Sequence, residues 1–187
     1  MGASMASIAE TRSFFDSFVL ADISKESAEQ AISVLDDPGK FSAAKVDARS
    51  ESELVQLIQS VKADVVVNAC DPRLNEVIFN ACFTAGANYV DMAINLSEPH
   101  PTNPYEEVGK PLGADQISRD DAWRERGLLA LVGMGVEPGL ATCSRAMRPT
   151  TCSTPSTKLV CVTVRTCRSM VSISRRHFPS GRPSKSV

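Results

Sequence analysis

Residues 64–72 read Asp-Val-Val-Val-Asn-Ala-Cys-Asp-Pro, a run too short for a helix and apolar on both faces. Three consecutive valines closed by a polar Asn, with a proline soon after, describe a strand buried inside a parallel sheet, where helices cover both faces. In open α/β sheets ligands bind in the crevice beyond the carboxyl ends of the strands, so 68–71 is where chemistry is expected. The rest of the chain has to supply the helices and strands that bury this run.

It does so in alternation. Met5, Ile8 and small residues at helical spacing put a helix over 1–11, with no strand ahead of it. Residues 17–22 form a short apolar strand ending in Asp22. Ser24 then caps a helix whose Ala28, Ala31, Ile32 and Leu35 share one face, and Pro38-Gly39 stops it. A weaker strand over 41–47 is closed by Asp47, and Ser50 opens a helix with Leu54, Leu57, Ile58 and Val61 on its inner stripe. After the valine strand, Val77, Ile78, Ala81 and Cys82 mark a helix over 74–86, and 89–91 is a strand ended by Asp91. A proline-rich loop carrying His100 spans 97–113, a single helix with Trp123 facing inward spans 114–126, and 128–132 is the last strand. This order predicts a Rossmann-like α/β fold, a doubly wound parallel sheet with right-handed crossovers.

The chain changes character at Ala141. Residues 1–141 hold 11 basic and 22 acidic side chains, a net of −11, whereas 142–187 hold nine basic and no acidic ones, so the overall −2 averages two unlike segments. The tail also carries 16 Ser and Thr in 46 residues, and a segment of that composition does not easily bury a core, so it is expected to be poorly ordered. Four of the six cysteines lie in it, and none of the six falls in a CxxC spacing, which gives no support to a metal or redox site. No secretory signal is visible, and no run approaches the ~18 apolar residues of a membrane span, so a cytoplasmic protein without membrane contact is expected.

Asp22 is the most informative single residue. In dinucleotide-binding βαβ units an acid at the end of the second strand, ~20 residues past the glycine loop, accepts hydrogen bonds from the adenosine ribose and disfavours a 2′-phosphate, which favours NAD over NADP. Gly2 stands 20 positions before it, where the last loop glycine belongs. Ending a strand and starting a turn is the plainer role for Asp22. Asp47, Asn68 and Asp91 repeat the pattern at later strand ends and together suggest a ligand rim. Asn68 either reaches the cofactor or bonds the backbone of a crossing loop, and Asp71-Pro72 is a helix start. The glycine-rich turn over 132–139 could close over a substrate or cofactor. His100, held between prolines, reads as a surface loop residue rather than a general base, because no partner for it is identifiable.

Four segments carry a resemblance: Val65-Val-Val-Asn-Ala-Cys-Asp-Pro-Arg73, Tyr89-Val-Asp-Met-Ala93, Leu96-Ser-Glu-Pro-His-Pro101 and Leu129-Ala-Leu-Val-Gly-Met-Gly-Val-Glu-Pro-Gly139. In this order and spacing they resemble the saccharopine dehydrogenase family, and more narrowly its bacterial saccharopine dehydrogenase and carboxynorspermidine synthase-like branch. The resemblance implies an oxidoreductase that makes or breaks a secondary-amine C–N bond by hydride transfer with NAD or NADP. It further implies a Rossmann domain joined to a substrate domain, an amino-acid substrate and a possible homo-oligomer. It gives Gly2, Asp22, Asp47, Asn68 and Ala69 a cofactor to face, and it places the catalytic residues largely in the substrate domain.

Two departures from the family follow. Members begin with an apolar strand and a Gly-rich turn, of which only Gly2 remains, so the sheet is expected to lack its first strand and to leave the valine strand at an exposed margin. Weak or absent NAD binding, no turnover and a marginal fold are expected with it. The tail departs as well: regrouping the possible codons of Thr142–Thr150 one base earlier permits an amphipathic string like the family's helix after Pro138-Gly139. Residues 1–141 are therefore read as an incomplete dinucleotide-binding domain and 142–187 as a frameshifted substrate domain. The alternative is a noncatalytic binding module whose +9 tail contacts nucleic acid or an acidic partner, although the tail lacks interleaved aromatics and any known nucleic-acid motif.

Overall fold

A computed structural model of the chain describes residues 2–135 and 158–162. In chain order the elements are α1 (Gly2–Ala9), β1 (Ser17–Asp22), α2 (Lys25–Ser33), β2 (Phe41–Lys45), α3 (Glu51–Val61), β3 (Val65–Asn68), α4 (Asn75–Ala85), β4 (Asn88–Asp91), α5 (Ala114–Ile117), α6 (Asp120–Glu125), β5 (Ala130–Leu131) and β6 (Lys158–Val162). The described strands form one sheet in the order β2-β1-β6-β3-β4-β5, parallel throughout.

The period of two in β1 explains the layering. Phe18 and Leu20 point to one face and pack with Ala6, Phe15, Ala28 and Leu35 beneath α1 and α2. Val19 and Ala21 point to the other and join Leu54, Ile58, Val66, Ile78, Phe79, Tyr89 and Trp123 beneath α3, α4 and α6. Ser24 and Ser50 cap their helices as expected, accepting from the backbone N–H of Ser27 and Glu53, and Gly86 closes α4 with φ 81°.

Three differences from the sequence reading have physical reasons. The helix expected over 114–126 is two short pieces, because Arg119 breaks the run: its guanidinium lies over the rings of Phe79 and Phe83 and bonds the side chain of Asn80. The segment expected as a loop over 97–113 is an arm, in which Glu98 and Lys110 exchange both backbone hydrogen bonds (3.0 and 2.8 Å) and the N–H of Gly113 reaches the carbonyl of Asn95 (2.9 Å). Gly109 is required there, since a Cβ would collide with the Glu98 carbonyl oxygen.

The third difference is the largest. Among the described residues no strand precedes α1, yet the place of a first strand, between β1 and β3, is filled by β6 from the basic tail. Lys158–Val162 pairs residue for residue with Ser17–Ala21 on one side, and its first residues after Lys158 pair with Val65–Asn68 on the other. The valine strand is thus internal, not at a margin, because two open edges flanking a buried gap are satisfied by any extended segment that can enter with its backbone groups. The remaining readings for 142–187 lie outside the described residues.

Candidate functional site

Parallel strands bring their last residues to one edge of the sheet, and the sequence-predicted residues gather there. Asp22 ends β1, Asn68 ends β3 opposite Asp91 at the end of β4, and Asp47 follows β2 by two residues. Gly2 is the buried first residue of α1, a helix that packs through Ala6 on β1 and α2. Ala69 follows Asn68, but it packs against the cluster under α1 and α2, on the face opposite Asn68.

Asp22 is buried, and one of its oxygens accepts from the Ser24 N–H at 3.0 Å, which sets the turn into α2. Asp47 does the same for the Arg49 N–H at 2.9 Å, while its own N–H donates to Glu53. Both residues therefore show the plainer, turn-forming role alongside any ligand role. Asp71 is likewise a local cap: it accepts from the N–H and the guanidinium of Arg73, which hold its carboxyl down at about 2.

Asn68 is committed inside the protein. Its amide donates to Asn75 Oδ1 (2.8 Å) and to the Tyr89 hydroxyl (3.0 Å), and its Oδ1 accepts from the Cys70 N–H (2.9 Å), so it secures the backbone of the loop leaving β3. Tyr89 continues the chain to Asp91, which also accepts from Gln116 (2.7 Å) and from the Gly133 N–H (2.6 Å). Burial pushes the Asp91 carboxyl up, against the opposing pull of the Gly133, Gln116 and Tyr89 bonds. Burial and the neighbouring Asp91 push the Tyr89 phenol up as well, so it stays a neutral hydrogen-bonding group.

The result is a continuous buried lock, Asn75–Asn68–Tyr89–Asp91–Gln116, at the ends of β3 and β4. It fixes the start of the glycine-rich turn: Met134 N–H donates to the Asp91 carbonyl (2.8 Å), Gly133 has φ 68°, and a Cβ on Gly135 would stand 2.5 Å from the Met92 carbonyl. The rest of that turn lies outside the described residues. Asn75, Tyr89 and Gln116 were not singled out in the sequence. The available signal was a polar residue at each end of an apolar run, which says nothing of partners 21 and 25 positions away. His100 belongs to the arm, where it accepts from the Asn103 N–H and faces Glu107 at 3.3 Å.

The model of the saccharopine dehydrogenase NADP binding domain matches residues 1–131, more than two thirds of the chain. The chain belongs to that family. The family is one of NAD(P)-binding dehydrogenases, and the resemblance carried by the four segments is borne out. The carboxyaminopropylagmatine dehydrogenase of Synechocystis is 31% identical over 126 residues, 67% of this chain and 29% of the relative. The carboxynorspermidine synthase of Vibrio cholerae is 29% identical over 117 residues, 63% and 27% of the two chains. The chain thus spans less than a third of the length of these relatives. Apo saccharopine dehydrogenase (L-Glu forming) from Saccharomyces cerevisiae superposes with a TM-score of 0.55 at 12% identity, over 78% of this chain and 28% of that one. That likeness shows the fold alone, and it agrees with the Rossmann-like parallel sheet.

For an NAD(P) cofactor, the described residues fit at the ribose end, where Asp22 closes β1, and at the first residue of α1, where Gly2 has no Cβ. They hold no glycine-rich turn leading from a strand into α1.

Proposed function

We propose that residues 1–141 are the dinucleotide-binding part of an oxidoreductase that makes or breaks a secondary-amine C–N bond by hydride transfer, with an amino acid or polyamine as substrate. The observation that carries this reading is the convergence of Asp22, Asn68 and Asp91 on the carboxyl edge of a parallel sheet, within the residues matched by the family. The substrate class rests on the names of the relatives, a carboxyaminopropylagmatine dehydrogenase and a carboxynorspermidine synthase. Asp22 would receive the adenosine ribose hydroxyls and repel a 2′-phosphate, which supports NAD over the NADP of the family's description. When bound, the cofactor supplies the hydride acceptor or donor, and the lock behind Asn68 and Asp91 keeps the edge it rests on from moving.

In this reading 142–187 is a frameshifted stretch of the substrate domain. Calorimetric titration of the full chain with NAD and with NADP tests the role given to Asp22: NAD is expected to bind at least about tenfold more tightly, a difference of about 1.4 kcal/mol. Equal or tighter binding of NADP overturns that role. Independent sequencing reads showing one uninterrupted frame through Ala141 overturn the frameshift.

A further inference from the structure

The position between β1 and β3 is a demanding one in the sheet, since a strand there is hydrogen-bonded on both sides. β6 enters it late in the chain, with 26 residues between it and Leu131 at the end of β5. Its entry is fixed at one point: the Lys158 N–H donates to Asp64 Oδ2 at 2.6 Å, and the Asp64 N–H donates back to the Lys158 carbonyl at 3.0 Å. From there the register is set by backbone pairing alone, Val65 with Leu159 through Asn68 with Val162.

The connection is far longer than its task. The slot is three strand spacings from β5, about 14 Å at 4.8 Å each, and a return along a five-residue strand adds about 17 Å. Twenty-six residues can span roughly 86 Å when extended. A connection of this many residues is long enough to reach the slot of a neighbouring molecule as well, with the same bonds made there. What the slot selects is general in kind: five extended residues entering parallel to β1, the first with an N–H for Asp64. Every copy of the chain carries such a segment in Lys158–Val162.

We propose that the gap between β1 and β3 is a strand-acceptor site, and that its occupant in trans is the 158–162 segment of a second copy of this chain. The site is independent of any cofactor reading, because none of its bonds involves Asp22, Asn68 side-chain groups or Asp91. In cis the tether holds the segment at an effective concentration of about 1 mM, so an intact molecule resists exchange at micromolar concentrations. Removing the cis strand exposes the acceptor.

The test uses the full chain with Val160→Pro, which removes a ladder N–H and cannot lie in a central strand. A fluorescent peptide of residues 156–164 stands in for the segment of the second copy. The variant is expected to bind it at micromolar concentration by anisotropy and to recover the wild-type thermal melt, while the wild-type chain binds it at least about 100-fold more weakly. Where the variant alone is unfolded, co-refolding with the peptide is expected to restore the far-UV signal. Asp64→Ala in the same background is expected to weaken the peptide several-fold. A Val160→Pro melt identical to wild type, equal binding to both chains, or failure of the peptide to restore the variant each overturns the site.

Discussion

The two flanks of the sheet hold their ligand-side ends by different chemistry. On the β1–β2 flank, Asp22 and Asp47 bond backbone N–H groups only two residues ahead, at Ser24 and Arg49. On the β3–β4 flank, Asn68 and Asp91 add to their local bonds with Cys70 and Tyr89 others that join residues 7, 21, 25 and 42 positions apart. Local turns of the first kind can be remade by a ligand for about the worth of one hydrogen bond, ~1 kcal/mol. A buried network of the second kind cannot, since each donor left unpaired inside the protein costs ~1–3 kcal/mol. The first flank is therefore adaptable and the second is already built, which suits a site that closes on one end of a long cofactor while the other end is held still.

The largest expected effect lies under the built flank. Phe79 is wedged between Tyr89 and Trp123, with ring centroids 5.2 and 4.7 Å away, and Phe79→Ala should cost ~3–5 kcal/mol in urea unfolding. A loss below ~1 kcal/mol would show that this flank is not the rigid one. Asp91→Ala leaves the Gly133 N–H and the Gln116 amide without their acceptor, and ~2–3 kcal/mol should be lost, with faster amide exchange at Gly133 and Met134. Asp22→Ala, its counterpart on the adaptable flank, should cost less, ~1 kcal/mol, and speed exchange at Ser24. Equal costs for the two aspartates would erase the difference between the flanks.

The smallest effects are those of pH, and they run in opposite directions. The Asp91 carboxyl is pushed up by burial, so the folded state holds its proton longer than the unfolded one, and its contribution to stability falls as pH rises through its folded value. The Asp71 carboxyl, drawn down to about 2 by Arg73, contributes stability above the ordinary 3.8 that disappears as pH falls through about 2. Arg73→Ala should return the Asp71 carboxyl toward 3.8 in a carbon-detected NMR titration. Because the pair is exposed, the accompanying change in unfolding free energy should stay within ~0.5 kcal/mol.

Much of the first flank was legible in the sequence because its signals are local. Ser24 and Ser50 announce helix starts, and the alternation of Phe18, Val19, Leu20 and Ala21 a strand buried on both faces. The lock on the second flank was not legible beyond Asn68 and Asp91, since Asn75 and Gln116 become partners only after the crossovers place them there. The break of the 114–126 helix was hidden for the same reason: Arg119 answers to rings on α4, not to its neighbours in sequence. The placement of β6 was the least legible. A basic, Ser- and Thr-rich tail gives no sign of a core, and a central strand needs only a few extended residues from it.

The position of β6 also sets an order of events. Ser17 pairs with Lys158, which emerges from the ribosome 141 positions later. At ~5–20 residues per second, the interval from Leu131 to Val162 alone lasts roughly 2–6 s. Through that time the facing edges of β1 and β3 lack the strand that pairs with both. A sheet built this way is completed from its centre, by the strand that is last in sequence among those described.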